Sequence, residues 1–224
     1  MQRIITVYGP LLFTAMGQTL LLALYGLLFA CVIGLIVGMM SVMRSGVCRL
    51  IAAIFVNLIR GVPMIVLAYL IYFGVPYLWN SILGIGGMTL TALTAGTICL
   101  ALNCGAYMAE IIRAGIQSVD KGQMEAARSL GLPWWRAMYR VVMPQAIKTM
   151  IPSIINQFII TLKDTSILSV IGFPELVNTA KNVVSATFMS FQTWIIVGLM
   201  YLVVILILQQ VAKVLERRLK YESK

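Results

Sequence analysis

Residues 4–43 read IITVYGPLLFTAMGQTLLLALYGLLFACVIGLIVGMMSVM, without one Asp, Glu, Lys or Arg. A helix needs only about 20 apolar residues to cross the hydrocarbon core of a bilayer. The run is too long for the apolar core of a signal peptide, and no A-x-A-like cleavage site follows it. Leu11–Met43 therefore reads as a long, tilted first membrane span, with the stretch before Pro10 near the outer interface.

The rest of the chain repeats the pattern. A second span is expected from Leu50 to Trp79, interrupted by Arg60-Gly61-Val62-Pro63. Gly74–Met88, rich in Gly, Pro and Trp, reads as an external turn with interfacial aromatics at Tyr77 and Trp79. A third span runs from Thr89 to Ile112. The fourth apolar segment, Ile151–Leu162, is short for a crossing, is interrupted at Lys163-Asp164, and resumes through Ile167–Phe173. The last span covers Phe188–Leu208, and Glu175–Ser185 reads as a short outer-face helix after Pro174. The expected fold is all-α, an integral bundle of five transmembrane helices in a single domain, 1–224, with an inner loop at 114–148.

Composition agrees. Of 224 residues, 61% are hydrophobic and 11% charged, and the mean hydropathy is +0.96. Soluble domains carry about 25% charged residues. The formal charge of +10 would suggest nucleic acid in a soluble chain; in an apolar one it reads as cytoplasmic loops, so no nucleic-acid partner is expected. The basic clusters are the Arg44/Arg49 turn, the loop from Arg113 to Lys148 and the tail Lys213–Lys224. Five spans put all three on one side, with the N-terminus outside and the C-terminus in the cytoplasm. The tail reads as an anchor to anionic lipid. The chain has no histidine, which removes the usual general base. Cys31, Cys48, Cys99 and Cys104 show no C-x-x-C spacing, so neither a metal site nor a catalytic residue is expected. Gly34-x-x-x-Gly38 is a close-packing face.

The inner loop is the most charged part of the chain. Met124–Leu130 is a short helix former, Gly131 a C-cap, and Pro133 opens a second helix from Trp134 to Ala146. Two helices meeting at a glycine bend make a compact knob, with Ala126 and Ala127 allowing close approach. The same residues also fit an amphipathic interfacial helix resting on lipid.

Glu125-Ala126-Ala127, Gly131 four residues later, and Val141-Val142-Met143-Pro144 resemble the EAA loop of ATP-binding-cassette importer permeases, with Val141 and Met143 replacing the usual Ile and Leu. Arg60-Gly61-Val62-Pro63, Asn103-Cys104-Gly105-Ala106-Tyr107 with Glu110 and Arg113, Lys121-Gly122-Gln123 and Lys163-Asp164-Thr165-Ser166 are similar to elements of the polar amino acid subfamily. The resemblance implies a type I importer fold in a bacterial cytoplasmic membrane. It also implies a coupling loop in which Glu125, Ala126, Ala127, Gly131 and Pro144 seat on a cytoplasmic ATPase dimer. A substrate-binding protein outside, and a second permease copy or close homologue around a two-fold axis, complete the implied assembly. ATP and Mg would belong to the ATPase; this chain has no G-x-x-x-x-G-K-[ST] loop and is not expected to be an enzyme or to bind a cofactor.

Ionisable residues at membrane depth are costly and face protein or water. Two helix interruptions are the strongest pointer to a substrate site, so Gly61, Pro63, Asn103, Lys163 and Asp164 are the expected pathway residues. Lys163 or free N–H groups would take the carboxylate of a zwitterion, and Asp164 or carbonyls its ammonium. Arg60, Glu110 and Arg113 are expected to form structural ion pairs, Arg60 with Glu110 or Asp164, and Glu110 with Arg113 at i,i+3. The rival functions are an oligomeric ion channel and a membrane scaffold without transport.

Overall fold

The computed structural model describes residues 2–221, with side chains described for residues 4–214. The side chains of Arg3 and of the tail beyond Val214 lie outside the described residues. Among the described residues eight helices follow in order: α1 (Gln2–Val42), α2 (Gly46–Gly61), α3 (Met64–Ile82), α4 (Ala92–Gln117), α5 (Lys121–Ser129), α6 (Trp134–Ile171), α7 (Leu176–Thr187) and α8 (Ser190–Tyr221). Five of them, α1, α3, α4, α6 and α8, are long and apolar enough to cross a membrane. The fold is all-α with five candidate spans.

Helix α1 has 41 residues, a length of about 60 Å at 1.5 Å per residue. It starts before Pro10 rather than after it. Leaving the preceding backbone unpaired in an apolar setting costs several kcal/mol per group, against about 3 kcal/mol for one internal proline. Ile4, in this first turn, is fully buried and belongs to an apolar cluster shared by α1, α7 and α8.

The chain breaks where Arg60-Gly61-Val62-Pro63 predicts. Val62 is extended (φ −101°, ψ 130°), the conformation a following proline favours, and Pro63 starts the next helix. The expected second span is thus two helices, of which only α3 meets the length and apolarity of a crossing. Helix α3 also runs further than expected. Two π-helical turns, Leu70–Gly74 and Leu78–Ile82, flank Pro76 and absorb its missing donor, so the turn begins only after Ile82. Asn80 closes that turn, donating to the Met88 carbonyl (2.8 Å) and accepting from the Met88 N–H (2.9 Å).

Helix α4 is the hub. Its N-cap Thr91 accepts from the Thr94 N–H (3.1 Å), and its face packs on α1 through glycine. A Cβ on Gly34 would lie 2.5 Å from the Met108 Cβ, and one on Gly105 would lie 2.8 Å from the Ile33 Cγ2. The two backbones meet closely because these positions carry no side chain.

Helix α6 revises two expectations. The helix opened by Pro133 does not stop at Ala146 but continues as the fourth span, through Pro144 and Pro152. A π turn at Met138–Val142 lies just before Pro144, where a wide turn tolerates the missing N–H. Lys163-Asp164 does not interrupt it either. The α-helix reaches Asp164 and tightens to 3₁₀ over Thr165–Ile171, with the Thr165 hydroxyl donating to the Leu162 carbonyl (2.7 Å). Glu175 caps α7, its buried carboxylate accepting from the N–H groups of Val177 (2.8 Å) and Asn178 (2.6 Å).

Candidate substrate cavity and coupling loop

The α2–α3 break faces α4 and α6 across a cavity of about 490 Å³. Its lining is Arg60, Gly61, Val62, Pro63 and Met64 from the break, Asn103 and Tyr107 from α4, and Gln157, Ile160 and Asp164 from α6. The spacing explains the set. Asn103 and Tyr107 are four apart, and Gln157, Ile160 and Asp164 follow at three and four, so each group shares a helix face. Of the expected pathway residues, Gly61, Pro63, Asn103 and Asp164 come together here. Lys163 does not; it is exposed and outside the lining.

The charges are arranged differently from the expected ion-pair lock. Among the described residues the ion pair is Glu110–Arg113, with Arg113 Nε donating to Glu110 Oε2 (3.0 Å) and its Nη1 to Gln117 Oε1 (2.7 Å). Arg60 pairs with neither Glu110 nor Asp164. Its guanidinium lies over the Tyr107 ring, 4.8 Å from the centroid, because α2 ends opposite the Tyr107 turn of α4. A cation held by an aromatic face keeps its five donors available for a ligand.

The polar groups are short of partners. Asn103 is buried, with Nδ2 at 3.7 Å from the Met64 sulfur. Gln157 is buried, and its Nε2 has no hydrogen-bond partner. A buried donor left unsatisfied costs about 1–3 kcal/mol. One cation, one carboxylate and two amides around a cavity of this size can hold a small polar zwitterion. Sequence reading named neither Gln157 nor, as a site residue, Tyr107. The signal was present: both lie on the helix faces already marked by Asp164 and Asn103.

At the other end of the bundle, the 121–142 segment forms the bent pair expected of the loop. Asp120 caps α5, accepting from the Gly122 N–H (2.6 Å). Gly131 has φ +83°, and its turn is a Schellman cap: Leu132 N–H donates to the Ala127 carbonyl (3.2 Å) and Gly131 N–H to that of Arg128 (3.0 Å). Glu125, Ala126 and Pro144 are exposed, while Ala127 is buried and anchors α5 to the bundle. Around the bend Leu130, Trp135 and Tyr139 are 85%, 60% and 75% exposed. Three large apolar side chains on a charged protrusion are the composition of a protein contact.

The chain matches the family model for the binding-protein-dependent transport system inner membrane component over residues 26–221. It is 35% identical over 211 residues to the glutamine transport system permease protein GlnP of Escherichia coli K12, covering 94% of each chain. The same figures hold for GlnP of Shigella flexneri. The structure superposes on that of an amino acid ABC transporter solved with histidines, at a TM-score of 0.86, 39% identity and 96% coverage of each chain. A chain of the MetNI methionine ABC transporter in an inward-facing conformation shares the fold at a TM-score of 0.76 and 21% identity, covering 93% of this chain and 96% of that one. A five-span helical bundle, its broken second helix and its bent loop thus have matches along almost the whole chain, and this protein belongs to the inner membrane components of binding-protein-dependent transport systems, the permease subunits of ATP-binding-cassette importers.

Proposed function

We propose that the chain carries a polar amino acid across a bacterial cytoplasmic membrane, and that the cavity at the α2–α3 break is where the substrate sits. The observation that carries this reading is the pairing of Arg60 and Asp164 with an unpartnered buried amide, Gln157, in one cavity of an apolar bundle. Arg60 takes the α-carboxylate, for which a guanidinium fork is suited; Asp164 takes the ammonium. Asn103 and Gln157 are neutral amides that can meet an amide side chain, and the two GlnP relatives are named for glutamine.

The energy comes from outside the chain. The α5–α6 bend seats on a cytoplasmic ATPase dimer that holds ATP and Mg, with Glu125 facing a basic group, Ala126 allowing close approach and Leu130, Trp135 and Tyr139 filling apolar hollows. Two permease copies enclose the pathway around a two-fold axis, an external binding protein delivers substrate, and ATP-driven closure of the ATPases re-orients the spans. The N-terminus lies outside and the C-terminus inside, which puts every basic loop in the cytoplasm.

The test is uptake in proteoliposomes holding the permease, its ATPase and its binding protein. Asp164→Asn and Gln157→Leu should reduce glutamine uptake at least tenfold while detergent-solubilised protein keeps its unfolding temperature. Unchanged uptake in both variants refutes the site. Flux without ATP refutes the importer reading in favour of a channel.

A further inference from the structure

A cleft of about 540 Å³ lies between the end of α1, the first turns of α2, the end of α4 and the start of α5. Its apolar wall is Val42, Met124, Met138 and Val142; its polar rim is Arg49, Gln117 and Lys121. We propose that this cleft binds the headgroup of an anionic phospholipid, the phosphate between Arg49 and Lys121 and the glycerol end of the acyl chains against the apolar wall.

Three observations converge. The first is place: α1 ends at Val42 and α4 at Gln117, so the cleft lies at the loop end of the bundle, the end that the proposed orientation puts at the cytoplasmic face of the membrane. The second is charge. Both cations are exposed, and among the described residues no carboxylate lies within ion-pair distance of either. The one acid in the lining, Asp120, already accepts the Gly122 N–H at 2.6 Å. Two unpaired cations converging on one cleft match a phosphate, and basic clefts between spans on the cytoplasmic side are where anionic headgroups bind. The third is the mixed wall, which suits a molecule with a charged end and an apolar end; a soluble anion has no use for Val42 and Met138.

The consequence reaches the coupling loop. Lys121 and Met124 belong to α5, while Arg49 belongs to α2, so a bound lipid ties the loop to the first two helices. The proposal depends on the proposed orientation only for which leaflet supplies the lipid, and lipid retention is measured without transport.

The test is native mass spectrometry of the full chain in neutral detergent, titrated with phosphatidylglycerol or phosphatidylcholine. The variant is R49Q/K121Q. The comparator is R140Q/K148Q, which removes the same charge from exposed positions on α6 outside the cleft. Wild type and comparator should retain phosphatidylglycerol, and R49Q/K121Q should lose on the order of tenfold in affinity; phosphatidylcholine should bind all three alike. If the double variant does not purify, R49Q and K121Q singly should each weaken retention about threefold. Equal loss in variant and comparator overturns the site in favour of diffuse charge. Displacement of the lipid by millimolar inorganic phosphate overturns the lipid in favour of a soluble anion. Loss of ATPase assembly with unchanged lipid adducts overturns it in favour of a protein contact.

Discussion

Replacing Gly34 by alanine adds one methyl group at the α1–α4 crossing, and the geometry says what that methyl meets. It would lie 2.5 Å from the Met108 Cβ, 3.3 Å from the Ala109 nitrogen and 3.3 Å from the Gly105 carbonyl oxygen. A Cβ is fixed to its backbone, so no rotamer relieves the clash; the helices must separate by about 1 Å to reach ordinary contact. A gap of that size forfeits a quarter to a half of the attraction of each atom pair along the seam. Overpacking of this kind costs about 1–3 kcal/mol, which moves the folded-to-unfolded ratio by roughly 5- to 160-fold. Gly17 on the same helix is the control. Nothing lies within 4 Å of a Cβ there, and alanine is the better helix former by about 1 kcal/mol. Thermal unfolding of the purified chain in one detergent should therefore rank Gly17→Ala at or above wild type and Gly34→Ala clearly below it. Gly34→Ala as stable as Gly17→Ala would refute the close α1–α4 approach.

Gly131→Ala forces an L-residue into left-handed backbone at φ +83°, at about 1–2 kcal/mol, and Gly131→Asp adds a charge to the apolar contact; both should insert normally yet lose coupling of ATP hydrolysis to uptake, so substrate-stimulated ATPase activity in Gly131→Asp would count against the loop's role. Burial pushes the Glu175 carboxyl above the ordinary 4.5, against the N–H groups of Val177 and Asn178, the Tyr201 hydroxyl and the Lys181 charge that pull it down. Protonation thus favours the fold: the contribution is complete below the ordinary value and is lost as pH rises through the folded one. Thermal stability should fall across that window and Glu175→Gln should flatten the slope; a wild-type slope of opposite sign that Glu175→Gln abolishes would contradict it. Leu130→Cys, at an 85% exposed position, should react with an impermeant maleimide only after the cells are opened, in a background with Cys48 replaced by serine; labelling of intact cells would invert the proposed orientation.

What could be read from residues alone was what depends on the residues next to one another. Apolar runs fix the number of spans, because transfer into hydrocarbon is set by local composition. Val62 before Pro63 breaks the helix where Arg60 and Gly61 precede it, whereas the same Val-Pro pair at 75–76 stays helical between two π turns, and Gly131 between two helix formers makes a Schellman cap. Length was harder. Pro10, Pro144 and Pro152 look like helix ends, yet α1 and α6 run through them, since an apolar surrounding makes unpaired backbone costlier than a local distortion.

Five apolar spans, the break at residues 60–63 and the bent loop at 121–142 could be read along the chain, as consequences of backbone sterics and local hydrophobicity. Packing settled the rest: Arg60 faces Tyr107 rather than a carboxylate, Asp164 lines the cavity while its neighbour Lys163 turns away, and Gln157 joins them. Adjacent residues on a helix point about 100° apart, and which direction meets a cavity depends on helices packed from distant parts of the chain.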